Sequence, residues 1–223
     1  MIVLYEDNQI AVVMKPIGVS SEEAQDGMSV PALLRDLWKN EKAYVGVVHR
    51  LDTGVGGVMV YARTQQAAAE LSRQVRERTF EKEYRCVCAG VPEPARGEMR
   101  DFLFKDSKKG KVFPVKSERK GAKEAILEYE VVETGALNDA EKTPVSLCRV
   151  LLHTGRTHQV RVQFASRKHP LLGDGKYGSR VKGNIHLQCA RIAFTHPKTK
   201  KRMEFSAEKP EEWNIGPTGE GNA

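Results

Sequence analysis

Three glycines within four residues, Gly54, Gly56 and Gly57, stand between two apolar runs, Val45–Val48 and Val58–Ala62. Glycine tolerates positive φ and lets other backbone approach closely, so this cluster demands a tight, shaped bend between two buried segments. His49-Arg50-Leu51-Asp52 leads directly into it. A carboxylate at that point is aimed by the fold, and Arg50 stands two residues before it. The stretch reads equally as an Asp that caps its own turn, a common use of that residue. Taken alone, it leaves both readings open.

The chain has 223 residues, enough to bury a real core as one domain or two small ones. Its 40% hydrophobic and 29% charged content is ordinary for a globular protein. The net charge of +7 is less ordinary and favours a polyanionic partner. Lys105, Lys108, Lys109, Lys111, Lys116, Arg119, Lys120 and Lys123 fall in one window with only Asp106 and Glu118 against them. Almost all the excess charge therefore lies in one segment, which suits a phosphate-backbone surface better than a random solvated loop. Lys198, Lys200, Lys201 and Arg202 form a second, smaller cluster.

Cysteines 86, 88, 148 and 189 make no CxxC pair and read as buried thiols of a reducing compartment, not as a disulfide frame or zinc site. Glu6 and Asp7 come too early for a signal peptide, and no apolar run approaches membrane-spanning length. The expectation is a cytoplasmic protein.

Ile10–Met14 reads as a strand closed by the turn Lys15-Pro16-Ile17-Gly18. Pro31–Trp38 reads as a helix. Thr64 can cap another, with Ala67, Leu71 and Val75 on its buried face. Glu83–Val91 and Ala125–Val132 alternate like strands, and the apolar Val145–Leu152 suits a central one. Thr157 can cap a helix that buries Val160 and Phe164. Ile185–Ala190, Arg191–Phe194 and Arg202–Phe205 read as strands, the last two hinged at His196-Pro197-Lys198-Thr199. With strands outnumbering helices and short connections, the expected class is α+β. One domain over residues 1–215 is built around a mixed, largely antiparallel sheet, and 216–223 form a disordered tail.

Two more constellations carry chemistry. Lys82-x-Tyr84 heads a strand, where a tyrosine is more often a packing residue than a functional one. Thr154-Gly155-Arg156-Thr157-His158-Gln159-Val160-Arg161 leads from the apolar strand into a helix. Backbone N–H groups at such a start form an anion site, and Arg161, one turn in, can reach back to a carboxylate. An arginine on a solvated helix face accounts for the same residue equally well.

These residues in this order resemble the RluA-type family of pseudouridine synthases. That family shows H-R-L-D, then K-x-Y, T-G-R-T-H-Q-I-R, H-P-x-x-G-D-x-x-Y-G and F-T-H-P. Here stand His49–Asp52, Lys82 and Tyr84, and Thr154–Arg161. His169-Pro170, Gly173-Asp174 and Tyr177-Gly178 follow, then Phe194–Pro197. Leu4–Asp7 and Lys15-Pro16-x-Gly18 match the family's opening, so the likeness runs from about residue 2 to Trp213. The chain departs at Val55-Gly56-Gly57, where relatives commonly have Thr-Ser-Gly, and at Gln163 and Gln188, where many have His. The resemblance covers a catalytic domain without the small N-terminal RNA-binding domain of many relatives.

The resemblance implies conversion of a uridine in ribosomal or transfer RNA to pseudouridine. The N1–C1′ bond breaks, the uracil turns, and C5 joins C1′. Neither redox state nor composition changes, so no cofactor or metal is required. Asp52 corresponds to the catalytic carboxylate. Arg161 corresponds to the cation that keeps it ionised, and Tyr84 to the ring that holds the turning base. The nucleotide must flip out of its stack. Arg50, Lys82 and Arg156 are candidate contacts to it, and Lys108, Lys109 and Lys111 to the RNA backbone. RNA is the partner, no membrane is involved, and the protein is expected to be a monomer. Two alternatives are an inactive RNA-binding module and a metal-dependent hydrolase using His153, His158 and Asp174.

Overall fold

The computed structural model describes residues 1–25, 28–137, 142–213 and 215–216. In chain order the elements are β1 (Ile2–Glu6), β2 (Ile10–Lys15), α1 (Val30–Leu37), β3 (Gly46–Val47), β4 (Gly56–Ala62), α2 (Gln65–Arg76) and β5 (Glu81–Ala89). They continue with β6 (Arg96–Asp106), β7 (Lys111–Val115), β8 (Ala122–Ala136), β9 (Pro144–Leu152), α3 (Gln159–Ser166), β10 (Leu187–Thr195) and β11 (Arg202–Ser206). This is the expected α+β class. Antiparallel pairs dominate, and β10 against β4 is parallel, so the sheet is mixed. The contacts gather into two compact units, residues 1–83 with 188–208, and 84–187 with the C-terminal segment.

In the first unit the strands lie in the order β1-β2-β4-β10, with β11 on β10 and β3 on β4. Ile10, Ala11, Val12 and Val13 are fully buried, as are Val58 through Ala62, so both strands are covered on both faces and read as unbroken apolar runs. Ser29 caps α1 by accepting from Ala32 N at 3.3 Å, and Thr64 caps α2 by accepting from Ala67 N at 3.1 Å. The expected buried face of α2 holds at Ala67 and Leu71 but not at Val75, which is half-buried. Gln74 takes the buried place, because its amide exchanges two 2.8 Å hydrogen bonds with the backbone of Thr195 at the end of β10.

In the second unit the order is β5-β9-β8-β6-β7. β9 is interior, between β5 and β8, in keeping with its apolar sequence. Trp213 packs with Val87, Val145, Leu147 and Leu172, while Val162 of α3 packs with Leu103, Val112 and Ala125.

The structure corrects three readings. Thr157 does not cap α3: His158 does, at φ 53° and without a side-chain cap bond. Gln159 instead reaches back, its Oε1 accepting from Arg156 N at 3.0 Å and from the Thr154 hydroxyl at 2.8 Å. Ile185–Ala190 and Arg191–Phe194 are one strand, β10, because Arg191 is held mid-strand by Glu81 and Glu204 and does not break it. Of the expected tail, Gly216 pairs with Ala136, and 217–223 lie outside the described residues.

Candidate active site

Within the first unit, Asp52 sits half-buried on a turn closed by Val55 N to Asp52 O at 2.9 Å. Its neighbours are pinned. The Ser21 hydroxyl donates to Leu51 O at 2.9 Å and accepts from Leu51 N at 3.3 Å, and the Tyr61 hydroxyl donates to Ser21 O at 3.1 Å. The glycines do what their spacing requires. Gly57 has φ +131°, and a Cβ there would lie 2.4 Å from Cys189 O, in the parallel pairing with β10. Val55 is 2% exposed, so the Val55-Gly56-Gly57 departure replaces two hydroxyls with a core side chain and close backbone contact.

Beneath this bend lies a residue the sequence reading treated as turn punctuation. Lys15, at the end of β2 and paired in register with Gly57, is 1% exposed. Its Nζ donates to the carbonyls of Val19 at 2.7 Å, Pro16 at 2.9 Å and Thr53 at 3.4 Å. Burial pulls its pKa down to about 8, and the negative charge of Asp52 opposes that fall. The charge of Asp52 is therefore felt by a cation buried inside the first unit. The signal was present in Lys15-Pro16 closing an apolar strand, but nothing local says that the ammonium turns inward.

His49 is 6% exposed, and its Nε2 accepts from Val60 N at 3.1 Å. Burial, aided by the charge of Lys82, drives its pKa down to about 3. The ring is thus neutral with its proton on Nδ1, and it packs 5.2 Å from the Phe80 ring as a plug behind the bend. Lys82 is half-buried on β5, its pKa lowered by burial against the opposing influence of Cys189. Arg50 points outward and pairs with Glu22 at 3.0 Å.

In the second unit Tyr84 is 6% exposed on β5. Arg161 is buried on α3 and holds Asp174: Nε to Oδ2 at 2.6 Å and Nη2 to Oδ1 at 2.8 Å. Asp174 is 1% exposed, so this is a desolvated bidentate pair. The guanidinium also lies 5.2 Å from the centroid of Tyr177, whose hydroxyl accepts from Val112 N at 3.0 Å and meets His158 Nδ1 at 2.7 Å. The Thr154–Gln159 loop is stapled to β8 through Ile126, with Arg156 Nε donating to Glu124 O at 2.7 Å. The Arg156 N–H, one of those expected to face an anion, is taken by Gln159.

The donors of the hydrolase alternative are each engaged elsewhere. His153 pairs with Glu128 at 2.8 Å, His158 with Tyr177, and Asp174 with Arg161. Among the described residues they form no metal-binding group.

Residues 9–166 match the family model for RNA pseudouridylate synthase. The chain belongs to that family. It is 37% identical to an uncharacterized RNA pseudouridine synthase of Aquifex aeolicus, over 94% of this chain and 69% of the relative. To the dual-specificity RNA pseudouridine synthase RluA of Escherichia coli it is 36% identical, over 93% of this chain and 92% of the relative. The fold matches human RNA pseudouridylate synthase domain containing 1 with a TM-score of 0.79 at 23% identity, over 94% of this chain and 83% of that one. The chain is thus an isomerase of the pseudouridine synthase family, acting on RNA. Among the described residues no helix is long and apolar enough to cross a membrane.

Proposed function

We propose that this synthase isomerises a flipped-out uridine of ribosomal or transfer RNA, with Asp52 as the catalytic carboxylate. The observation that carries the reading is the construction of the Asp52 bend. Its backbone is clamped by Ser21, Gly57 admits no side chain, and the charge of Asp52 is felt by a buried ammonium beneath it. A positioned carboxylate can attack C1′ as the N1–C1′ bond opens; the freed uracil turns, and its C5 then displaces the carboxylate from C1′. C5 then loses its proton and N1 regains one, so atoms and charge balance without a cofactor. Tyr84 supplies the face against which the base turns. Arg161, held in one orientation by Asp174, is the cation of the reaction. Arg50, Lys82 and Arg156 contact the flipped nucleotide or its phosphates, and Lys108, Lys109 and Lys111 hold RNA backbone.

Because C5 loses its hydrogen, RNA carrying tritium at C5 of uridine releases label at each turnover. Wild-type protein should release it from bulk RNA of the modified class, and Asp52→Asn should release none while binding that RNA nearly as well. Turnover by a preparation free of deamidated protein would remove Asp52 from the chemistry. Tyr84→Phe keeps the ring and removes the hydroxyl. If that hydroxyl helps remove the C5 proton, release should slow by about 10²-fold at unchanged RNA affinity; an unchanged rate confines Tyr84 to packing.

A further inference from the structure

The basic window of residues 105–123 takes in the end of β6, the turn 107–110, β7 and the connection 116–121 into β8. β6 and β7 pair as a ribbon, with Phe104 directly opposite Phe113 and Phe102 opposite Val115. Side chains alternate across a strand, and Leu103 and Val112 face the core with Ala125 and Val162. Phe102, Phe104 and Phe113 therefore emerge on the other side, and all three are only half-buried. Cations stand over two of them. Arg119 lies 4.5 Å from the centroid of Phe104, and Lys109 and Lys111 lie 6.0 and 5.8 Å from that of Phe113. No lysine or arginine of the window has a carboxylate within ion-pair distance among the described residues, and the one aspartate of the turn, Asp106, accepts from the backbone of Lys108 and Lys109. Lys111 also lies 5.3 Å from the ring of Tyr177, the ring that Arg161 touches.

We propose that this face is a stacking platform for unpaired RNA nucleotides flanking the target uridine, with Phe104 and Phe113 as its rings. The inference rests on the reading that Arg161 belongs to the reaction centre. Unneutralised cations interleaved with aromatic faces are what grips single-stranded nucleic acid: phosphates take the cations, and bases take the rings. In the free protein Arg119, Lys109 and Lys111 cover these rings, a weak contact at an exposed site that a phosphate readily replaces. Drawing Arg119, Lys109 and Lys111 to the rim uncovers two paired faces at once. The platform thus favours loops over duplex, whose bases are already stacked.

The test uses Phe104→Leu/Phe113→Leu, which leaves every cation in place. Its affinity for a short unpaired oligouridine should fall by roughly tenfold or more, the usual worth of base stacking on an aromatic ring. Its affinity for a duplex of equal length, and its salt dependence, should stay as in wild type. Phe113→Trp should retain binding, and oligouridine should quench emission beyond that of the parent protein. Wild-type affinity for oligouridine in a double variant that melts normally would overturn the platform. So would an equal loss for paired and unpaired RNA, or a silent tryptophan. Failure of the catalytic reading looks different, because it abolishes label release while leaving these binding differences intact.

Discussion

Two buried cations, Lys15 under the Asp52 bend and Arg161 on α3, solve the same problem in opposite ways. Arg161 meets a carboxylate through two parallel hydrogen bonds, a pairing that fixes both charge and direction. Among the described residues the Lys15 ammonium hydrogen-bonds carbonyl oxygens alone, and the carboxylate that acts on it, Asp52, is the one proposed for chemistry. A guanidinium keeps its proton whatever surrounds it, whereas a buried ammonium can give its proton up. The contrast separates a fixed cation, held by a bidentate carboxylate, from a titratable one tuned by the carboxylate proposed to react.

The hardest blow to this contrast is to remove the partner of Arg161. Asp174→Asn removes the bidentate carboxylate from the buried Arg161 and should destabilise the protein by about 3–5 kcal/mol. Denaturant unfolding measures this, and a loss under about 1 kcal/mol would mean that the pair is not desolvated as its exposure indicates.

Lys15 should behave differently. Its folded-state pKa near 8 lies below its ordinary 10.5, so between those values the unfolded chain binds more protons than the folded one. This group's contribution therefore rises with pH through the window 8 to 10.5 and is flat on either side. Lys15→Met relieves the burial of charge, and at neutral pH its cost should be small beside that of Asp174→Asn. The stability difference between wild type and Lys15→Met should then move in favour of wild type by up to about 3 kcal/mol across that window. A flat difference would show that Lys15 does not titrate in the folded protein.

The smallest effect couples the two carboxyl roles. Asp52→Asn withdraws the charge that supports the Lys15 ammonium, so the Lys15 pKa should drop further, visible by NMR of the lysine side chain. Asp174→Asn, where it remains folded, should leave that titration in place. Equal shifts in both would dissolve the distinction between the two cations.

What the sequence made legible was whatever local backbone demands. The Gly54–Gly57 cluster forced a shaped bend and aimed attention at Asp52, and the apolar Val145–Leu152 run announced a central strand. What escaped was decided by partners distant in sequence. Lys15 reads as a polar stop to a strand until the carbonyls of Val19 and Thr53 close over it. Arg161 could be seen to want a carboxylate, but Asp174 supplies it from a separate loop thirteen residues on. Thr157 has the right chemistry for a cap, yet the Gln159 side chain satisfies the loop first. The charge of the 105–123 window was plain, but not that β6 and β7 pair there as a ribbon. The alternation of Phe102 and Phe104 around Leu103 is visible once that register is known.

Gly57 has a consequence for how this protein can vary. A methyl group there would sit at bonding-like distances from Cys189 backbone, 2.4 Å from its oxygen and 2.5 Å from its nitrogen, on a φ that other residues avoid. Most positions grade substitutions from mild to severe, since a side chain can tilt or a neighbour can give way. Here the obstacle is the main chain of Cys189, which cannot tilt aside, so the alphabet at this position has a single letter. The bend carrying Asp52 is thereby indexed to a strand more than a hundred residues later, a fixed point from which the surrounding sequence can drift.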